Sequence, residues 1–505
     1  MIKRFLHFTR YFVYTIVCSL LLVACEENVP PQNLPDLEQK SMISLSRALY
    51  AADFQIDPHF VTGADNGAML RDLLVGLMAF DAKGNVVPAV AREWFSEDGM
   101  NWLFVLDENA KWSNGEPVTA DDFVTSWQRL SDPANKSPLA QYLLYMDIEN
   151  AKAILASRKA PEALGIKALN PQTLQIQLTQ PNFQLPNMLA HIALLPTYKG
   201  KKPQHIYAFN SNGAYRLEKV KKDTAFLQAV KGDTPFQNVS YRLILAAKNP
   251  ERFDIIENPL LNNQRNQVLL PRLCTYFYEF NFNDPLLKQK EIRQAIRMMI
   301  SSPELSRELG IPNHTVLPRT LLSEHERNMS TVSLEQIIKE LGLGENNPIR
   351  ITLSYDDGEL HSTVGHRLTR ALAQSDLLRI TPQELSWQQL LQKREQGDFQ
   401  LIRSGWCADY NDPVLFLNQF HSQSADNKSH YSNAEVDQLL EKLKRQSKSG
   451  SERDRLILNI VNLLEQDVAL IPLFQYQRRI LVDSSIKGID LDNTSEVIYS
   501  KDLYR

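Results

Sequence analysis

One apolar run, Tyr11 to Ala24, limits most strongly what this chain can become. Behind the basic residues Lys3, Arg4 and Arg10 it forms the hydrophobic region of a secretory signal, and it is too short to span a bilayer comfortably. No second apolar span, internal repeat or long low-complexity tract follows it, so the remainder must fold as an exported, water-facing body. A composition 43% hydrophobic and 23% charged excludes disordered, collagenous and multi-spanning classes. At 505 residues the chain exceeds one ordinary core and predicts two or three domains.

The signal ends in Leu22-Val23-Ala24-Cys25, which resembles the lipobox of bacterial lipoproteins, where the cysteine is acylated and becomes the first mature residue. Residues 1–24 are therefore expected to be a signal peptide and 25–41 a lipidated, polar, Pro-containing tether that holds the body to a membrane of the bacterial cell envelope. Cleavage takes Lys3, Arg4 and Arg10 from the 55 basic residues, leaving 52 against 59 acidic ones, or −7. Such a balance excludes a generally basic nucleic-acid binder. It also discards Cys18 and commits Cys25 to lipid, so Cys274 and Cys407 are the thiols left in an oxidising compartment and are predicted to pair. Closing that loop of 133 residues would stabilise by at most about 5 kcal/mol.

Strand and helix patterns alternate through the body, which predicts an α/β or α+β fold. Ile351 to Tyr355, Leu378 to Ile380 and Phe399 to Ser404 read as strands. His361 to Gln374 and Ser386 to Gln396 read as helices between them, which predicts a parallel-type sheet; a further helix is expected over Ser333 to Leu341. Ser432 and Glu435 form a capping-box pattern before one helix, Ser451 opens another, and strands follow at Leu470 to Tyr476 and Arg478 to Val482. In the first half, Trp102 to Leu106 reads as a strand, Asp121 to Arg129 as a helix and Asn212-Gly213 as a turn before Tyr215.

The common catalytic constellations do not occur. There is no phosphate-loop signature, no His-Glu-x-x-His and no Gly-x-Ser-x-Gly. His361 and His366 stand five apart, a poor spacing for two ligands on one helix face, so no metal or other cofactor is expected. The unusual residues concentrate instead in Arg403-Ser404-Gly405-Trp406-Cys407-Ala408-Asp409-Tyr410-Asn411-Asp412-Pro413 and in Leu273-Cys274-Thr275-Tyr276-Phe277-Tyr278-Glu279-Phe280-Asn281. A strand ending in Trp, Cys, Asp and Tyr can offer a cationic ligand an aromatic wall and a carboxylate, or simply be a disulfide-pinned turn with core aromatics.

These clusters, with Ile56-Asp57-Pro58-His59, Arg71-Asp72-Leu73, the run from Lys111-Trp112-Ser113 to Asp121-Asp122-Phe123, and Ser211-Asn212-Gly213-Ala214-Tyr215, resemble the oligopeptide-binding branch of family 5 of the solute-binding proteins of bacterial ABC importers. The resemblance covers nearly the whole mature chain. It implies a periplasmic-binding-protein-like α/β fold of type II, large cluster: two lobes joined by a hinge, with an extra domain packed on the first lobe. On this chain the first lobe would take residues 42–67, 181–273 and 478–505, the extra domain 68–180 and the second lobe 274–477. The ligand would be enclosed between the lobes and handed to a permease driven by ATPase subunits, and the protein would be a monomer and not an enzyme.

The resemblance also implies site residues. Asp409 would pair with the peptide's α-amino group; Arg403 and Arg394 match basic residues near the peptide, and His361 one that meets a carboxylate terminus. Trp387, Trp406 and Tyr476 match aromatic lining positions, Cys407 and Phe277 belong to the two cleft clusters, and Asp53 falls near an acidic residue of the first cleft strand. Departures are equally specific: Thr125 and Phe277 replace tyrosines, Gln475 interrupts an aromatic run, and Ser301-Ser302-Pro303 replaces Asp-Arg, with no distal Lys matched. A kept amino-end clamp and an altered far end point to peptides, or to a specialised ligand such as a murein peptide, a glutathione-like peptide or haem. A degenerate, non-transport interaction protein is the remaining alternative.

Overall fold

The structure, a computed structural model, describes residues 43–61, 64–244, 253–257, 259, 266–322, 339–340, 342–446 and 450–505. The signal, Cys25, the tether and all but residues 339 and 340 of the helix expected from Ser333 to Leu341 lie outside the described residues. Among the described residues no helix is long and apolar enough to cross a membrane.

Among the described residues one mixed sheet of 11 strands organises the body. From one edge it runs Leu378–Leu385, Ile349–Asp356, Leu401–Cys407, Gln267–Phe280, Leu470–Val482, Ile255–Glu257, Ser44–Leu49, Asn238–Leu243, Thr224–Ala229 and Tyr215–Lys221, with Ile311–Pro312 added against Leu470–Val482. The alternating segment behaves as its pattern predicts: Ile349–Asp356 pairs in parallel with Leu378–Leu385 and Leu401–Cys407, and helices Glu359–Leu372 and Trp387–Gln396 connect them. Gly365 is needed where the first of these helices meets the sheet, because a Cβ there would fall 2.7 Å from the Tyr355 ring. Ser386 caps the second helix by accepting from Gln389 N, and Gly397, in the left-handed conformation, ends it.

One expectation is corrected. The helix Ala434–Arg445 is capped by Asn433, which accepts from Glu435 N at 2.9 Å, and not by Ser432. Asn caps as well as Ser, and its extended backbone (φ −145°, ψ 114°) places it next to the first helical residue. The neighbouring helix begins at Ser451 as expected and buries Ile457, Ile460, Val461 and Leu464.

Among the described residues the buried side chains form three large cores. The first holds Leu45, Phe104, Trp127, Tyr215 and Leu270 and, from the chain's end, Ile480 and Leu503. A four-stranded antiparallel sheet, Ala91–Phe95, Asn101–Leu106, Thr173–Gln177 and Ile166–Asn170, contributes to it. The second core gathers Tyr276, Ile292, Leu353, Leu368 and Phe474, and the third Phe277, Leu417, Val436 and Ile460. Gln267–Phe280 and Leu470–Val482 run antiparallel and pass from the first core to the other two. Their register breaks at the passage, between Pro271 and Thr275.

Candidate functional site

Two strand ends build the site. Leu401–Cys407 lies antiparallel to Gln267–Phe280 with Cys274 opposite Cys407, and a disulfide joins them. Ala408 N donates to Leu273 O at 2.8 Å, after which the chain leaves the sheet. Tyr410 sinks into the first core, Asn411 accepts from Thr494 Oγ1 at 2.8 Å, and Arg453 clamps both oxygens of Asp412 at 2.8 Å. The turn that carries Asp409 is therefore fixed on both sides.

Asp409 borders a cavity of about 330 Å³ that it shares with Arg71, His191, Arg272 and Glu496. Solvent reaches its carboxylate through the cleft, while protein crowds it on most other sides. Among the described residues no hydrogen bond or ion pair engages that carboxylate. Burial, and then the charge of Glu496, raise its pKa above the ordinary carboxylate range. A ligand ammonium would relieve both effects.

Beside it, Arg272, Arg394, Arg403, Trp387, Trp406 and Tyr476 line a second cavity of about 240 Å³. The disulfide and Arg272 border both spaces, and no carboxylate among the described residues lines the second. Arg403 lies over the rings of Tyr276 and Trp387, at 5.4 and 5.3 Å. Its Nη2 donates to His361 Nε2 at 2.6 Å, and its Nε stands 3.5 Å from Asp356. Since a guanidinium only donates, His361 accepts as a neutral ring; burial and then Arg403 push its pKa down to about 4, against the pull of Asp356. Arg394 instead spends its charge inside the protein, donating to both oxygens of buried Glu279 at 2.8 Å.

Asp409, Trp406, Cys407, Arg403, Arg394, Trp387 and Tyr476 thus come together around adjoining cavities, and His361 joins them through Arg403. Phe277 does not. Side chains alternate along Gln267–Phe280, so Tyr276 and Tyr278 enter the second core while Phe277 is wholly buried in the third. Asp53 lies apart, in a depression of about 600 Å³ with Phe54, Tyr207 and Lys222. Arg272 and Glu496 escaped the sequence reading: Arg272 flanks the first cysteine cluster, a usable signal, whereas nothing in the local sequence marks Glu496.

A mixed α/β body with adjoining charged cavities where two long strands pass between its cores is the architecture of an extracellular solute-binding protein. The chain matches the family described as bacterial extracellular solute-binding proteins, family 5 Middle, over residues 85–233 and 236–428, and it belongs to that family. A putative binding protein of Haemophilus influenzae is 42% identical to it over 98% of this chain and 96% of its own length. The periplasmic murein peptide-binding protein MppA of Escherichia coli is 30% identical over 97% and 98%. Among solved structures, the unliganded open form of the murein tripeptide-binding protein MppA superposes with a TM-score of 0.83, at 28% identity over 92% of this chain and 97% of that one. OppA of Haemophilus influenzae in complex with RPPGFSPFR superposes with 0.61, at 26% identity over 92% and 98%. The fold is therefore the two-lobe, type II periplasmic-binding-protein fold.

Proposed function

We propose that this chain is the lipid-anchored solute-binding component of an ABC importer and captures short peptides by their charged ends. Cys25 carries the lipid, and the closed, loaded form is delivered to the permease; the protein acts as a monomer and catalyses nothing itself. We place the lobes at residues 42–67, 181–273 and 478–505, with the extra domain 68–180, on one side of the cleft and 274–477 on the other. This division is supported by the change of core along the two long strands, from Leu270 to Leu273 and from Phe474 to Ile480.

The observation that carries the reading is the unpaired Asp409 carboxylate next to an arginine-lined cavity with no carboxylate of its own. A zwitterion can satisfy both only if its charges sit a short distance apart, because one disulfide borders both cavities. Charged ends set orientation, and the partly open cavity walls leave the side chains largely unspecified. Calorimetric titration with short free-amine peptides tests it. Asp409→Asn is expected to lose about 2–5 kcal/mol of binding, and unchanged affinity would overturn the assignment. Native mass spectrometry of the protein purified without denaturation should reveal a co-purified peptide of a few residues; a haem or other non-peptide cargo would replace the reading with a specialised one.

A further inference from the structure

We infer that Arg272 is a specificity-determining residue of this cleft: Glu496 holds its guanidinium while the cleft is empty, and a bound peptide's carboxylate receives it. The inference rests on the peptide reading above. Arg272 borders both the Asp409 cavity and the arginine-lined one, so a side-chain rotation is enough to exchange partners. Its ion pair with Glu496 leaves the two side chains 39% and 28% exposed, the condition under which such pairs are weak and exchangeable. The pair Arg394–Glu279 in the same neighbourhood is the contrast, doubly bonded and largely buried, and has no comparable freedom.

Both partners are placed with unusual care. Arg272 stands at the register break of the long strand, where Gln475, wholly buried, donates to its carbonyl at 2.9 Å and to Thr320 Oγ1 at 3.1 Å. That polar interruption of an otherwise aromatic run thus acquires a purpose. Glu496 is held at φ 62°, a left-handed conformation costly for a residue with a side chain. Asn493 and Ser495 brace the turn, with Ser495 N and Oγ donating to Asn493 Oδ1 at 2.9 and 2.8 Å, while Thr494 reaches across to Asn411. When an ammonium arrives between Asp409 and Glu496 it supplies the positive charge that Arg272 had supplied, and the released guanidinium faces a cavity that lacks an anion.

Titration calorimetry with trialanine as the free acid and as its C-terminal amide separates the possibilities. The wild-type chain should prefer the acid. Arg272→Gln should cost the acid on the order of tenfold, the size of one charge-assisted hydrogen bond, and leave the amide within about twofold. Glu496→Gln should keep the acid preference, because Arg272 is still present. If Arg272→Gln weakens acid and amide alike, or if Glu496→Gln reproduces its effect, the pair merely braces the cleft and the inference falls. Asp409→Asn is the control on the underlying reading: it should weaken both ligands together, and its failure to do so would remove the peptide reading and this inference with it.

Discussion

Asp72 and Asp409 are both carboxylates whose pKa burial pushes upward, yet the protein treats them in opposite ways. Asp72, wholly buried, accepts from Tyr241 Oη at 2.6 Å and Ser500 N at 3.0 Å, with Arg47 4.0 Å away. Arg47 also pairs with Glu257, which meets Arg478 at 3.5 Å, so positive and negative groups alternate through one network. Asp409 has no hydrogen bond or ion pair among the described residues, and the charge that raises its pKa is that of Glu496, of like sign. In the first arrangement both carboxylates are partnered without a ligand, although Arg47 Nε and Arg478 Nε and Nη2 make no hydrogen bond, and Arg47 ties Ser44–Leu49 to Ile498 and Ser500 near the chain's end; the Asp409 carboxylate has no partner until a cation arrives. The presence of a partner for the carboxylate, rather than burial or charge, separates structural from binding carboxylates here.

The largest effect should come from breaking the buried network. Glu257→Ala removes the carboxylate of Arg478 and one of two from Arg47 and is expected to cost about 3–5 kcal/mol in chemical denaturation, with a smaller loss of peptide affinity than Asp409→Asn in whatever remains folded, since Glu257 also lines the Asp409 cavity. Asp409→Asn should do the reverse, lowering affinity by about 2–5 kcal/mol while leaving the denaturation midpoint equal or higher, since a crowded carboxylate is removed. A destabilised Asp409→Asn would erase the distinction. Replacing Cys274 and Cys407 together by Ala should cost roughly 2–4 kcal/mol and should also weaken binding, because the turn that presents Asp409 starts from that bridge. If stability falls and affinity does not, the turn is held by Tyr410, Asn411 and Asp412 alone.

Much of this was legible in the chain itself, and the boundary is physical. Strands and helices from 349 to 407 followed their periodicities because each packs one face on a neighbour close in sequence. The disulfide followed from having two cysteines to spare. The conspicuous run from Lys111 to Phe123 proved to be a folding device: Asp122 accepts from Trp112 Nε1, Thr119 N and Lys199 N, at 3.2, 2.8 and 2.8 Å. Phe277 was misplaced since aromatic character does not reveal which face of a strand a residue takes. Glu496 was invisible because its role depends on a turn meeting Asn411, 85 residues earlier by number and adjacent only in space. Local signals reported local structure; the cleft is made of distant segments.

The smallest expected effect tests the comparison through its sign. In the empty protein the raised pKa of Asp409 means that the folded state takes up a proton before the unfolded state does as pH falls. Stability should therefore rise slightly on acidification relative to Asp409→Asn, through the window from the raised value down to about 4. A bound ammonium inverts this, because it favours the ionised carboxylate and depresses the same pKa. The extra stability conferred by peptide should then be lost as pH falls through the bound-state value. His361 adds a background of its own: with its pKa near 4 in the fold and about 6.5 when unfolded, stability falls as pH drops through that interval, with or without peptide. Subtracting melting curves of Asp409→Asn from those of the wild-type chain cancels that background. The difference should slope one way without peptide and the other way with it, whereas equal slopes would mean that Asp409 never meets the ligand's charge.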